Sequence, residues 1–368
     1  MKPVPFLEPS LPPPDEIAAD YAAIAARGIF TNGGPVEREF AQALERWIGS
    51  GVHVAVTSSC TSALELALQA LIDEPGGVVL VPSFTFAAAA LAVTRMGHEP
   101  VFVDVDPLTW QPDPADARNL LSKLASVRGV VVTSTFGVAN DHIAEWERLA
   151  HERSVPLIVD SAAGFGGAYG WGEPLGARGD CEVFSLHATK VMAVGEGGVL
   201  ASRDASVVAR VEKLRNFGFD EERQATMIGT NAKLTELAAA IGLRQLDRLA
   251  SRIEARQRIL RTYMRYLQPL GAEFQSGAER SPVAFVSALL RTEALRDAWV
   301  RAFHDAHIEC RTYYNPPVHR QSVFATRGTN RALPVTDDIS ARVVSLPTSD
   351  GLDPEIIRAI CAVAAGVP

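Results

Sequence analysis

Cysteine, a basic excess and long apolar runs are all scarce in this 368-residue sequence, and each shortage closes off a class of function. The four cysteines, Cys60, Cys181, Cys310 and Cys361, form no C-x-x-C pair and fall mostly in apolar runs, which favours reduced thiols over disulfides or a metal site. Lysine and arginine total 35 against 43 aspartates and glutamates, a formal charge of -8, so neither nucleic acid nor an anionic membrane surface is an expected partner. No stretch of about 18 apolar residues occurs, and residues 1–9 hold no uninterrupted apolar core of the kind a signal peptide needs. A cytoplasmic protein is the expectation.

What the chain does have is enough apolar content, 47%, to bury a large core, and a length that suggests two domains. Its organising stretch runs from Glu182 to Gly198. A β-rich run over 181–186 delivers Lys190 into a turn that ends in Gly195, Gly197 and Gly198. Val191, Met192, Ala193 and Val194 flank the lysine, so its ammonium is poorly solvated and its pKa pushed down, which suits a nucleophile. A lysine snorkelling out of a buried turn is the plainer alternative. Upstream, the run 155–160 reads as a buried parallel strand with Asp160 at its carboxyl end, the edge of an open α/β sheet where ligands bind. A carboxylate there needs a cation. Pyridoxal phosphate (PLP) supplies one, since its ring nitrogen stays protonated opposite an aspartate while a lysine holds its aldehyde as a Schiff base. Asp160 and Lys190 suit those two roles.

Six motifs then fall in one order: Thr-Asn-Gly-Gly-Pro at 31–35, Val-Pro-Ser-Phe-Thr-Phe at 81–86, Val-Phe-Val-Asp-Val-Asp at 101–106, Asp160, Ser-Leu-His-Ala-Thr-Lys at 185–190 with Gly-Glu-Gly-Gly at 195–198, and Gly-Thr-Asn at 229–231. In that order they resemble the DegT/DnrJ/StrS family of sugar aminotransferases. The resemblance implies PLP-dependent transferase fold type I: an α/β large domain (1–250, with an N-terminal arm) built on a mostly parallel seven-stranded sheet, and a smaller α+β domain (251–368).

The resemblance also implies a set of site residues. Backbone N–H groups of Cys60 and Thr61, at a strand-to-helix turn, would cradle the cofactor phosphate, as helix N-termini do, although relatives usually carry glycine at the Cys60 position. Phe86, with Phe84 second, would cover the ring face, and the Ser185 hydroxyl would reach the phosphate. Asn231 would cross a homodimer to the phosphate of the other subunit, or else simply cap a helix. Thr31 and Asn32 would border the neighbouring subunit's substrate pocket. His187, Tyr313, His319 and Gln321 would face the sugar nucleotide, the last three in a loop resembling the family's Tyr-Tyr…His-x-Gln. One position departs from the pattern: Ala163 stands where relatives carry a Gln or His expected to hydrogen-bond the 3′-oxygen of PLP, so Ser161 or a water is expected to replace that contact.

The activity implied is transamination from an amino acid, L-glutamate being the family's usual donor, to a nucleoside-diphosphate 4-keto-6-deoxyhexose, with a 3-keto sugar as the alternative. Two further readings stay open. A PLP-fold sugar dehydratase carries histidine in place of the lysine, which Lys190 speaks against. A PLP-fold regulator would need a DNA-binding segment or basic patch, which this acidic chain does not show.

Overall fold

The computed structural model describes residues 3–326 and 331–367. After an extended arm come α1 (Pro14–Arg27) and α2 (Pro35–Ile48), each with proline in its first turn, where a missing N–H costs nothing. Strands and helices then alternate: β1 (His53–Thr57), α3 (Cys60–Leu71), β2 (Val78–Pro82), α4 (Ala88–Arg95), β3 (Glu99–Val103), α5 (Pro114–Leu121), β4 (Val127–Thr133), α6 (Ile143–Glu152) and β5 (Leu157–Asp160). A long glycine-rich connection leads to β6 (Cys181–Ser185), β7 (Gly198–Ser202) and α7 (Ala205–Leu214).

These strands form a seven-stranded sheet in the order β1-β7-β6-β5-β4-β2-β3, in which β7 alone runs opposite to its neighbours. Helices cover both faces, and an apolar layer is buried on each. One holds Phe40, Leu44, Trp146 and Phe184, the other Leu64, Leu68, Val93 and Phe102. This is the α/β fold the sequence implies, with the carboxyl ends of β4, β5 and β6 side by side: Thr133 pairs with Asp160, and Asp160 with Val183.

The remainder consists of α8 (Glu236–Leu267), β8 (Glu273–Phe274), β9 (Val286–Leu289), α9 (Glu293–Asp305), the single turn α10 (Ser322–Ala325), α11 (Pro334–Arg342), β10 (Val343–Leu346) and α12 (Pro354–Ala365). Strands β10, β9 and β8 make an antiparallel sheet against a third apolar cluster that includes Tyr263, Trp299 and Phe303. The N-terminal arm is tied to this part, Val4 donating its N–H to the His307 carbonyl at 2.9 Å.

Helix α8 is continuous over 32 residues, and residue 250, the expected end of the large domain, lies inside it. Residues 308–312 form no strand: Ile308 makes a single bridge to Val4 and Arg311 a single bridge to Ser345.

Candidate active site

The carboxyl ends of β4, β5 and β6 open onto a cavity of about 440 Å³. Lys190 reaches it from the turn after β6. That turn is closed by backbone bonds from Lys190 N–H to the His187 carbonyl (2.9 Å), Ala188 N–H to Gly195 (2.8 Å) and Val194 N–H to Leu186 (2.8 Å). Val191, Met192, Ala193 and Val194 are buried, and Lys190 itself lines the cavity. Gly195 at φ 102° occupies the left-handed region that lets the chain turn back. Burial holds the Lys190 ammonium below the usual lysine range, against the opposing pull of Cys60 and Asp160.

Asp160 ends β5 on the same cavity and is 6% exposed. Burial raises its carboxyl to about 6, while the Ala162 N–H, donated at 3.0 Å, and Lys190 pull it down. A carboxylate this poorly solvated favours a cation as its partner. At another wall, α3 begins with Ser59, whose Oγ accepts the Ser62 N–H at 3.1 Å. That cap leaves the earlier N–H groups of the first turn free, and Ser59, Cys60 and Thr61 all line the cavity.

The other expected residues divide. Phe86 lines the cavity and is 68% exposed, because α4 starts only at Ala88 and leaves Thr85 and Phe86 on the loop before it. Phe84 is fully buried among Trp110, Phe136 and Tyr314. Ser185, His187, Ala163 and Tyr313 line the cavity as well. His187 Nδ1 lies 2.8 Å from Thr189 Oγ1, and its Nε2 lies 3.6 Å from Glu196, at the cavity edge.

Three expected residues are placed elsewhere. Ser161 is fully buried and turned away from the cavity, its hydroxyl 2.8 Å from Ser134 Oγ and bonded to Glu182, so the serine expected to replace a missing side-chain contact does not face the site. His319 is 1% exposed, with Nδ1 2.6 Å from Ser83 Oγ and Nε2 3.3 Å from Asp337, beside the ring of Phe102: a packed imidazole outside the cavity lining. Gln321 donates to the Pro316 carbonyl at 3.4 Å within its own loop. Thr31, Asn32 and Asn231 do not line their own chain's cavity. Asn32 sits at φ 66° in the loop before α2, and Asn231 is exposed, its backbone bridged to Asn216.

Sequence reasoning missed Ser134, Thr135 and Tyr314, all on the cavity wall. Ser134 and Thr135 directly follow a β-strand, so the strand-end position that singled out Asp160 also pointed to them. Tyr314 is the second tyrosine of the Tyr-Tyr loop motif and was given no role of its own. Burial and the nearby Asp160 raise its phenol well above the usual range.

Comparison with known proteins supplies the context for this arrangement. The DegT/DnrJ/EryC1/StrS aminotransferase family profile matches residues 14–364. The chain belongs to this aminotransferase family. Protein Rv3402c of Mycobacterium tuberculosis is 42% identical over 98% of this chain and 89% of its own. A UDP-N-acetyl-3-dehydro-alpha-D-glucosamine 3-aminotransferase of Acidithiobacillus ferrooxidans is 31% identical over 85% and 84%. A dTDP-4-amino-4,6-dideoxy-D-glucose transaminase of Shigella dysenteriae is 27% identical over 98% and 97%. Among solved structures, a Bacillus cereus protein described as a PLP-dependent aminotransferase superposes with a TM-score of 0.93 at 32% identity, covering 99% of this chain and 100% of its own. This aminotransferase is a PLP-dependent transaminase, and its paired Lys190 and Asp160, with a helix N-terminus between strands, fit that cofactor. Among the described residues, no helix is long and apolar enough to cross a membrane.

Proposed function

We propose that this aminotransferase moves an amino group from an amino acid, with L-glutamate the expected donor, to a nucleoside-diphosphate-linked keto-deoxysugar, with a 4-keto-6-deoxyhexose the expected acceptor. The observation that carries the reading is the meeting of Lys190 and Asp160 on one cavity that also exposes Phe86 and Tyr313. Bound PLP supplies an electron sink for the electrons released at the donor's α-carbon.

The chain's own residues do the rest. Lys190 Nζ, whose pKa burial lowers so that the neutral amine is favoured over the ammonium, takes and returns the mobile proton. The Asp160 carboxylate holds the ring nitrogen in its cationic form. N–H groups of Cys60 and Thr61, with the Ser185 hydroxyl, take the phosphate, and Phe86 covers the ring. His187 and Tyr313, at the open side, meet the sugar nucleotide. Thr31, Asn32 and Asn231, absent from their own chain's cavity, are assigned to the cavity of a second subunit, so the working unit is a homodimer with shared sites.

Relatives named for amination at carbon 3 and at carbon 4 are both present, and the His-Ala-Thr-Lys and Gly-Glu-Gly-Gly wording favours carbon 4. The purified protein, given L-glutamate and a panel of 3-keto and 4-keto nucleotide sugars, should convert a 4-keto-6-deoxy sugar to its amine, read by mass spectrometry and by NMR of the aminated carbon. Amination of 3-keto substrates alone overturns the assignment to carbon 4. If glutamate bleaches the bound cofactor but no nucleotide sugar is aminated, the sugar reading is wrong.

A further inference from the structure

A chain of three side-chain oxygens runs from the cavity wall into the protein behind Asp160. Ser134 follows β4, lines the cavity, and donates its backbone N–H to the Asp160 carbonyl at 2.9 Å. Its hydroxyl lies 2.8 Å from Ser161 Oγ, which donates in turn to Glu182 Oε1. Glu182, in β6, is fully buried, and its second oxygen takes the Gly176 N–H at 2.5 Å. Neither Ser161 nor Glu182 touches the cavity, and transamination as described uses neither.

Among the described residues, the carboxylate has no cationic partner. Ser161 faces it from the turn after β5, and backbone N–H groups of residues 176–178 face it from the glycine-rich connection. Of the titratable groups near it, Tyr169 is itself raised by burial and by Glu182, and Cys181 is its raised neighbour in β6. The guanidinium of Arg178 is taken by Glu173 and Glu147. Burial therefore raises Glu182 to about 7, with the Ser161 hydroxyl and those N–H groups pulling it down.

Next to this relay is the position that lacks a donor. Ala163 lines the cavity, and the loop carrying Ser134 abuts it so closely that a Cβ on Gly137 would lie 2.3 Å from the Ala163 carbonyl oxygen. We propose that Ser134 is a positioning residue for the ring edge of bound PLP, in place of the donor Ala163 lacks, and that Glu182, acting through Ser161, decides whether Ser134 donates or accepts there. This rests on the PLP reading of the cavity.

The switch follows from hydroxyl chemistry, since each hydroxyl has one proton to give. With Glu182 ionised, Ser161 donates to Glu182 and Ser134 donates to Ser161, so Ser134 offers only lone pairs to the cavity. With Glu182 protonated, the order reverses and the Ser134 proton points into the cavity. A donor there stabilises the more negative, proton-free form of the lysine-bound cofactor and lowers the pKa of its visible titration.

The test is that titration, followed by absorbance in the holoenzyme. Ser134→Ala should raise the pKa by about half a unit or more. Glu182→Gln, whose amide donates to Ser161 at every pH, should lower it, and should have no effect in a Ser134→Ala background. Ala163→Gln placed on Ser134→Ala should bring the pKa back down. The wild-type curve should be broader than one proton, because two coupled groups titrate together. Ser161→Ala should sharpen it, which keeps the relay testable should Glu182→Gln not fold. An unchanged pKa in Ser134→Ala overturns the proposal, as does a Glu182→Gln shift of equal size with and without Ser134. A wild-type protein with no visible chromophore would overturn the cofactor assignment as well.

Discussion

The carboxylate of Glu236 accepts the backbone N–H of Glu37 at 2.7 Å and thereby closes a helix end 199 residues away in the sequence. The same group takes the Val36 N–H at 3.1 Å, so a negative charge sits at the positive end of the α2 dipole and satisfies two N–H groups left over from the helix. Gly34 makes this possible, because a Cβ there would lie 2.5 Å from the Glu236 carboxyl carbon. Gly34→Ala and Glu236→Ala should each destabilise the fold by roughly 1–3 kcal/mol, the cost of leaving buried polar groups unpaired. Since Thr31 and Asn32 hang from this cap, kcat/KM should fall along with the urea midpoint. A midpoint unmoved in both variants would show that the cap contributes nothing.

Borohydride treatment of the yellow holoenzyme should fix the cofactor to Lys190, read by peptide mass spectrometry. Lys190→Ala should still bind PLP, without the covalent bond, and lose transamination by several orders of magnitude, as expected when the group that moves the proton is removed. Near-normal turnover in that variant would remove Lys190 from the mechanism.

Asp160 makes a prediction about pH. Its carboxyl is raised from 3.8 to about 6, so above about 6 the cofactor-free fold carries a buried charge that the unfolded chain keeps in water. Below about 4 both states are protonated, so stability of the cofactor-free protein falls as pH rises from about 4 to about 6. Affinity for PLP should rise over the same window, because the cationic ring nitrogen gives the carboxylate its partner. Asp160→Asn should flatten the stability profile by roughly 2–3 kcal/mol, remove the rise in affinity and lower turnover per bound cofactor. Urea melts and cofactor titrations from pH 4 to 8 decide it, and profiles that match the wild type would count against the assignment.

Asp350 holds two buried arginines, bonding Arg252 Nε at 2.6 Å and also pairing with Arg256. Asp350→Ala removes the carboxylate both charges share and should cost roughly 3–5 kcal/mol. The effect should reach the site, because Arg252 donates to Gln245 Oε1 at 2.9 Å and Gln245 donates to the carbonyls of Ala193, in the Lys190 turn, and Ser10, in the arm. Differential scanning calorimetry and cofactor affinity together test it. A loss of stability with unchanged PLP affinity would confine Asp350 to the fold.

The backbone was largely legible, because strand periodicity and helix-breaking glycines are local signals. Strand β2 falls on the apolar run 78–82 and β7 on the run that follows the Gly195–Gly198 cluster, and Thr235 caps α8 as its hydroxyl allows. Helix α5 was missed although Asp113 and Pro114 announce it, the aspartate accepting the Ala115 N–H at 2.8 Å. Side-chain direction was not legible. Nothing local to Ser161 tells that its hydroxyl turns inward, since what draws it there is Glu182, one strand away. His319 reads as a loop residue until Ser83, 236 positions earlier, takes its ring.

At about 1.5 Å per residue, the 32 residues of α8 form a rod about 48 Å long. Glu236 at one end secures the loop of Thr31 and Asn32, and mid-shaft Gln245 grips the Lys190 turn. Farther along, Arg252 and Arg256 are moored to Asp350 near the C-terminus. An uninterrupted shaft offers no joint between the parts it links. A tilt of the C-terminal portion is therefore leverage: about 5° at one end sweeps the other through about 4 Å. The loop assigned to a second subunit, the lysine turn and the small sheet shift as one piece, and access for a bulky substrate falls to the loops around the cavity.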